Sequence, residues 1–231
     1  MPYDGAPTPL AAAPAAMYQH ILFDLDGTLI DSADAILAGF RRVLDEHGLA
    51  PRVPLDRRLI GPALRPTLAR LAGTSDEALV ERLAQRFTAW YDGEGYRGST
   101  VYPGIAELLA QLHAHGAHLH VVTNKRLRPT LLILEWLGWR PWFERVDTQD
   151  LRSAAPLASK TEVLGRLLDE TGLERKAAIY VGDRIDDLQA ATAQRLPCIL
   201  VDWGYGALDV VPAETWRAAT PRQLGTLLGL A

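Results

Sequence analysis

HILFDLDGTLID, residues 20–31, is the stretch that decides the reading of this chain. An apolar run, Ile21 to Phe23, ends in two aspartates one residue apart, Asp24 and Asp26, followed by Gly27 and Thr28. Such a run suits a strand buried on both faces of a parallel sheet. Residues i and i+2 of a strand point to one side, so Asp24 and Asp26 stand together where the strand ends. In open parallel sheets that carboxyl edge is where ligands bind. Two carboxylates this close repel unless a cation or a shared proton relieves them, so the pair asks for a divalent metal or a split of protonation states. Gly27 permits a tight turn that brings backbone N–H groups, with Thr28 next in line, near a bound anion.

Working outward, four further runs read as buried strands: His118 to Thr123, Phe143 to Asp147, Ala178 to Gly182 and Cys198 to Asp202. Helical spacing of apolar residues fills Gly104 to His115, Leu127 to Leu137 and Ser159 to Thr171. Strand and helix alternate, which predicts an α/β fold with a Rossmann-like parallel sheet and helices on both faces. The first strand breaks the rhythm, because Asp24 and Ala117 stand 93 positions apart and a single crossover helix needs far fewer. The intervening segment reads as helices only: Ala33 to His47 after a Ser32 cap, Leu55 to Leu71, and Asp76 to Asp92 after a Ser75 cap. The expected organisation is a disordered extension over 1–16, a core of 17–32 and 98–231, and an inserted all-helical cap over 33–97 that returns through a hinge at Asp92 to Thr100.

Three segments supply what an aspartate pair still needs. HVVTNK ends at Thr123, Asn124 and Lys125; ASKTEVL places Lys160 at a helix start; IYVGDRIDD places Asp183, Asp186 and Asp187 just after a strand. All fall at the same sheet edge as Asp24. A hydroxyl, an ammonium and a second acidic cluster there make a set for phosphoryl transfer, with donors for phosphate oxygens and oxygen ligands for Mg²⁺.

In these motifs the chain resembles the haloacid-dehalogenase-like hydrolases, in the capped phosphatase group that includes phosphoglycolate phosphatases. FDLDGTLIDS, VVTNK, Lys160 and VGDRIDD correspond to the family's four motifs in order, and the likeness runs from Tyr18 to Leu228. VDWGYG at 201–206 and IGPALRPTL at 60–68 look like the substrate-side loop and cap segment of the phosphoglycolate-phosphatase group. The resemblance implies an Mg²⁺-dependent phosphatase acting on a small phosphorylated metabolite through an aspartyl phosphate. It makes Asp24 the nucleophile and Asp26 the acid and base. It assigns Gly27, Thr28, Thr123, Asn124 and Lys160 to the phosphate, and Asp24, Asp26 and Asp183 to the metal, with Asp187 behind them. Lys160 lies between Ser159 and Thr161 where many relatives have Lys-Pro, a stretch that reads like the nucleotidase-like branch, so the substrate is expected to be either phosphoglycolate-like or nucleotide-like. Asp26 is absent from haloacid dehalogenases, which argues against dehalogenation. A phosphosugar mutase and a non-catalytic regulatory protein of the same fold are the alternatives. Arg65, after the Gly61-Pro62 break, is the cap residue expected to grip the far end of the substrate.

Composition narrows the rest. The 231 residues carry 24 Lys+Arg against 28 Asp+Glu, a formal net charge of −4, which gives no bulk attraction for nucleic acid. No run of about 18 apolar residues suggests a membrane span. A single cysteine, Cys198, allows no intrachain disulfide and suits a reducing, cytoplasmic setting. His113, His115, His118 and His120 crowd together, but helix-end and surface positions are the expected reading, and Trp136, Trp139 and Trp142 read as packing.

Overall fold

Alternating side chains along short apolar strands build a two-faced core. The computed structural model describes residues 18–151, 157, 159–207 and 210–230; the segment 1–16, expected as an extension, lies outside them. In chain order the strands are β1 (His20–Phe23), β2 (Ile30–Asp31), β3 (Thr100–Val101), β4 (His118–Thr123), β5 (Phe143–Thr148), β6 (Ala178–Gly182), β7 (Cys198–Val201) and β8 (Trp216–Ala218). The α-helices are α1 (Ala33–Glu46), α2 (Leu64–Ala72), α3 (Glu77–Gly93), α4 (Ile105–Ala114), α5 (Leu127–Trp136), α6 (Lys160–Thr171), α7 (Ile185–Ala193) and α8 (Pro221–Leu228). One sheet runs β5-β4-β1-β6-β7-β8 with all pairings parallel.

Ile21 and Phe23 of β1 join Val121, Val181 and Val201 in a cluster covered by α4, α5 and α8. Leu22, Val122, Tyr180 and Leu200 face the other way, onto α6 and α7. Both faces are thus covered, which is why the strands read as unbroken apolar runs. The chain moves outward from β1 to β4 and β5, then returns to β6 on its other side. The order therefore reverses at β1, which puts the end of that strand at the topological switch point.

Only helices and short 3₁₀ turns lie between β2 and β3, whose antiparallel pairing (Ile30 with Val101, Asp31 with Thr100) joins the two ends of the excursion. Phe40, Val43 and Leu44 of α1 and Leu83, Phe87 and Tyr91 of α3 are continuous with the α4-side core. Three local expectations are corrected. The single helix expected over Leu55 to Leu71 is a 3₁₀ turn at Arg57–Leu59 followed by α2, because Gly61 takes φ 101° and Pro62 has no N–H to continue a ladder. Asp76, not Ser75, caps α3, accepting from the N–H groups of Ala78 and Leu79. Ser32 precedes α1 without a side-chain cap bond, since its hydroxyl donates elsewhere. A sixth sheet strand, β8, was not expected; three residues reading Trp-Arg-Ala are too short to show a period. Among the described residues no helix is long and apolar enough to cross a membrane.

The histidines divide by position. His113 lies in the last turn of α4, and His115 Nδ1 contacts the Gln111 carbonyl at 2.8 Å. His20 and His118 start adjacent strands and stack at 4.8 Å between ring centroids; His118 also meets Glu144. His120 is buried beside them, and burial, then the neighbouring His20, pushes its imidazole down to about 4. An unfolded histidine titrates near 6.5, so between there and about 4 the unfolded chain takes up a proton that the folded chain refuses. Stability should fall as pH drops through that window, by about 1 kcal/mol at pH 5.5 from this residue. Urea unfolding at pH 7.5 and 5.5 should show a shallower pH dependence for His120→Leu than for wild type. Equal dependence in the two proteins would remove His120 from the acid response.

Candidate active site

The carboxyl edge of the sheet gathers four of the residues singled out in the sequence. Asp24 follows β1, Thr123 ends β4, Lys160 opens α6 and Asp183 follows β6. Asp24 is buried; its Oδ1 accepts from the Leu25 N–H at 2.7 Å and its Oδ2 from Lys160 Nζ at 2.8 Å. Burial raises its carboxyl to about 6, with the Asp187 charge adding and Lys160 opposing. Lys160 also donates to Asp187 Oδ1. Burial pulls the Lys160 ammonium down, yet Asp187 and Asp24 outweigh it and hold the group well above the ordinary lysine range, so it stays charged.

Asp183 is fully buried and packs against Gly27. A Cβ added at Gly27, whose φ is 87°, would fall 2.4 Å from Asp183 Oδ2, so glycine is required by the approach as well as by the turn. Asp183 Oδ2 accepts from the Tyr205 N–H at 2.7 Å, whereas Oδ1 is buried with no hydrogen-bond partner. Burial, then Asp187 and Asp24, pushes this carboxyl well above the usual range. One oxygen each from Asp24, Asp183 and Asp187 lie within 4.8 Å of one another. Both Asp187 oxygens are already engaged: Oδ2 accepts from the N–H groups of Asp183 and Arg184, and Oδ1 from Lys160 and the Tyr180 hydroxyl. The orphaned oxygen of Asp183, a member of this acidic cluster, is therefore the feature that fits a hard divalent cation, which binds through oxygen.

Asp26 faces the helical insert. It accepts from the Ser32 hydroxyl at 2.6 Å and from Lys125 Nζ at 3.0 and 3.1 Å, and Lys125 reaches on to the Tyr91 hydroxyl of α3 at 2.9 Å. Burial lowers Lys125, but Asp26 and Tyr91 outweigh it and leave it raised. The two close aspartates are thus relieved by two different lysines, an arrangement their spacing alone does not reveal. Asp24 and Asp26 open on one cleft, with Thr123, Asn124, Lys125 and Arg126 on the sheet side and residues of α1, α2 and α3 opposite, enclosing about 670 Å³ with its mouth included.

Two expectations change. Gly27 N–H donates to the Ile30 carbonyl at 2.8 Å and Thr28 N–H to the Leu25 carbonyl at 3.3 Å, so both are spent inside the turn. Neither is placed as a phosphate donor, and the Thr28 hydroxyl is buried without a partner. Arg65 lies outside the cleft, exposed, with Nε 2.7 Å from Glu81 Oε2 on α3. The first turn of α2 carries it to the outer surface while Leu64 takes the inward place. Asp186, whose part the sequence left open, pairs with Arg184 Nε at 3.2 Å.

Residues 21–201 match the haloacid dehalogenase-like hydrolase family. The chain belongs to that family. Within it, the phosphoglycolate phosphatase of Rhodospirillum rubrum is 33% identical over 202 residues, 82% of this chain and 81% of that one. The tyrosine-protein kinase PtkA of Mycobacterium tuberculosis is 32% identical over 227 residues, 95% of this chain and 76% of that one. Its solved structure gives a TM-score of 0.77, covering 92% of this chain and 99% of that one. A predicted phosphatase from Clostridium acetobutylicum, 27% identical, gives a TM-score of 0.79 over 91% of this chain and 98% of its own. In this hydrolase the residues for which sequence reading gave no contact with the acidic pair or its neighbours are Lys125, Tyr91, Ser32 and Tyr205. Tyr205 ties the Asp183 side to the foot of the insert, with its hydroxyl accepting from the Ser32 N–H at 2.8 Å and bonding Asp31 Oδ1 at 2.9 Å. The VDWGYG segment carried that signal, but its partner lies 173 positions away.

Proposed function

We propose that this hydrolase is a phosphatase of small phosphomonoesters that works through Asp24. The observation carrying the reading is the buried line Asp24, Lys160, Asp187 beside an Asp183 oxygen that has no partner. An Asp24 carboxylate oxygen attacks phosphorus as the ester oxygen departs; Asp26, on the cleft side, protonates that oxygen. Asp26 then takes a proton from the water that cleaves the aspartyl phosphate, releasing inorganic phosphate and regenerating Asp24. Ser32 and Lys125 fix the position of the Asp26 carboxyl group, Lys160 balances charge at Asp24, and Thr123 and Asn124 line the phosphate end. Mg²⁺, held by Asp24, Asp183 and the backbone carbonyl of Asp26, would supply charge neutralisation at the phosphate oxygens. Residues 33–97 serve as a cap over a core of 17–32 and 98–231, placing specificity in the insert and chemistry in the sheet edge.

The test is phosphate release from p-nitrophenyl phosphate with and without Mg²⁺. Turnover should need the ion, and Asp183→Ala should move the midpoint of the Mg²⁺ titration at least about tenfold upward. No turnover with any divalent ion would sink the phosphatase reading, and an unchanged midpoint would remove Asp183 from the ion.

A further inference from the structure

The cleft walls beyond Asp24 and Asp26 are apolar where an acidic substrate would need a cation. We propose that the alcohol this phosphatase releases is uncharged and apolar, an aryl or arylalkyl alcohol, rather than glycolate or another carboxylate-bearing alcohol. The inference rests on the phosphatase reading above and names its substrate class.

Facing the aspartates are Ile36 and Phe40 of α1, Leu59, Leu64 of α2, Phe87 of α3 and, from the sheet side, Pro129. Among the described residues the lining holds two cations, and both are taken. Lys125 binds Asp26 and Tyr91. Arg126 forms a two-pronged pair with the half-buried Asp92, at 3.0 and 2.6 Å. A substrate carboxylate could recruit Arg126 only by leaving Asp92 to Arg128, whose Nε is 3.7 Å away and whose side chain is exposed. Arg65, which the sequence offered for this task, is held by Glu81 outside the cleft. A carboxylate placed against Phe40, Leu64 and Phe87 would lose its water and find no partner, whereas an aromatic ring there replaces water on both surfaces.

The experiment compares kcat/KM for benzyl phosphate and 2-phosphoglycolate with the wild-type enzyme and Mg²⁺. Both release unactivated alkoxides, so the comparison weights the cleft rather than the leaving group. Benzyl phosphate should be preferred at least about tenfold, in the range one hydrophobic-pocket contact can give. Equal or better turnover of phosphoglycolate overturns the inference and leaves the phosphatase reading intact. Absence of phosphate release from both esters and from p-nitrophenyl phosphate overturns both. Leu64→Arg places a guanidinium in the wall at a half-buried position, and should narrow or reverse the preference by about tenfold. A folded Leu64→Arg enzyme with the wild-type preference would show that the missing cation is not what excludes the acid.

Discussion

Asp24→Asn is expected to abolish turnover, by on the order of 10³-fold or more, in a protein that remains folded. The amide keeps the volume and can still accept the Leu25 N–H, but it is a poor nucleophile. Stability should hold for a reason visible in the electrostatics. Burial already opposes the Asp24 charge and the Asp187 charge opposes it further, so removing it relieves a crowded acidic cluster. Lys160, which loses one partner, keeps Asp187. The variant should therefore melt within a few degrees of wild type while phosphate release disappears. Activity within about tenfold of wild type would remove Asp24 from the mechanism.

The strand ends were legible because burial on both faces leaves continuous apolar runs, and the chemistry sits where those runs stop. Ala178 to Gly182 is the same in sequence and structure, with Asp183 following it in both. Lys160 could be placed because it opens a helix whose Ser159 cap accepts from the Glu162 N–H, as helix-start rules lead one to expect. What the sequence hid were partnerships without local period. Lys125 meets Asp26 across 99 positions, so the device that lets two neighbouring aspartates coexist has no local signature. Gly27 was legible as a turn glycine, but its second reason, the Asp183 side chain packed against its Cα, depends on a residue 156 positions later. Arg65 misled because the break before α2 was visible while the rotation of α2 was not. One position decides whether Leu64 or Arg65 faces the cleft, and helix phase after a Gly-Pro break is set by packing against α3.

Lys160→Met is expected to lose about 3–5 kcal/mol of stability at pH 8, the cost of stripping a buried cation from its carboxylates. Methionine fills similar space, so the loss is one of charge rather than volume. Without the ammonium, Asp24, Asp183 and Asp187 are left with oxygens within 4.8 Å of one another and no buried cation among them. The deficit should depend on pH in a direction that a packing defect would not produce. Burial and Asp187 raise Asp24 to about 6 even with Lys160 pulling it down, so in the variant its folded-state value climbs further. A carboxyl whose value is higher in the folded than in the unfolded chain binds protons preferentially to the fold, so stability rises as pH falls through that raised value. Urea unfolding should show the gap between variant and wild type narrowing from pH 8 towards pH 5.5. Mg²⁺ at pH 8 should narrow it too, because an ion that binds only the folded acidic cluster stabilises that state by mass action. A variant as stable as wild type at pH 8, or a deficit that neither protons nor Mg²⁺ reduce, would mean that Lys160 is not what holds the three carboxylates together.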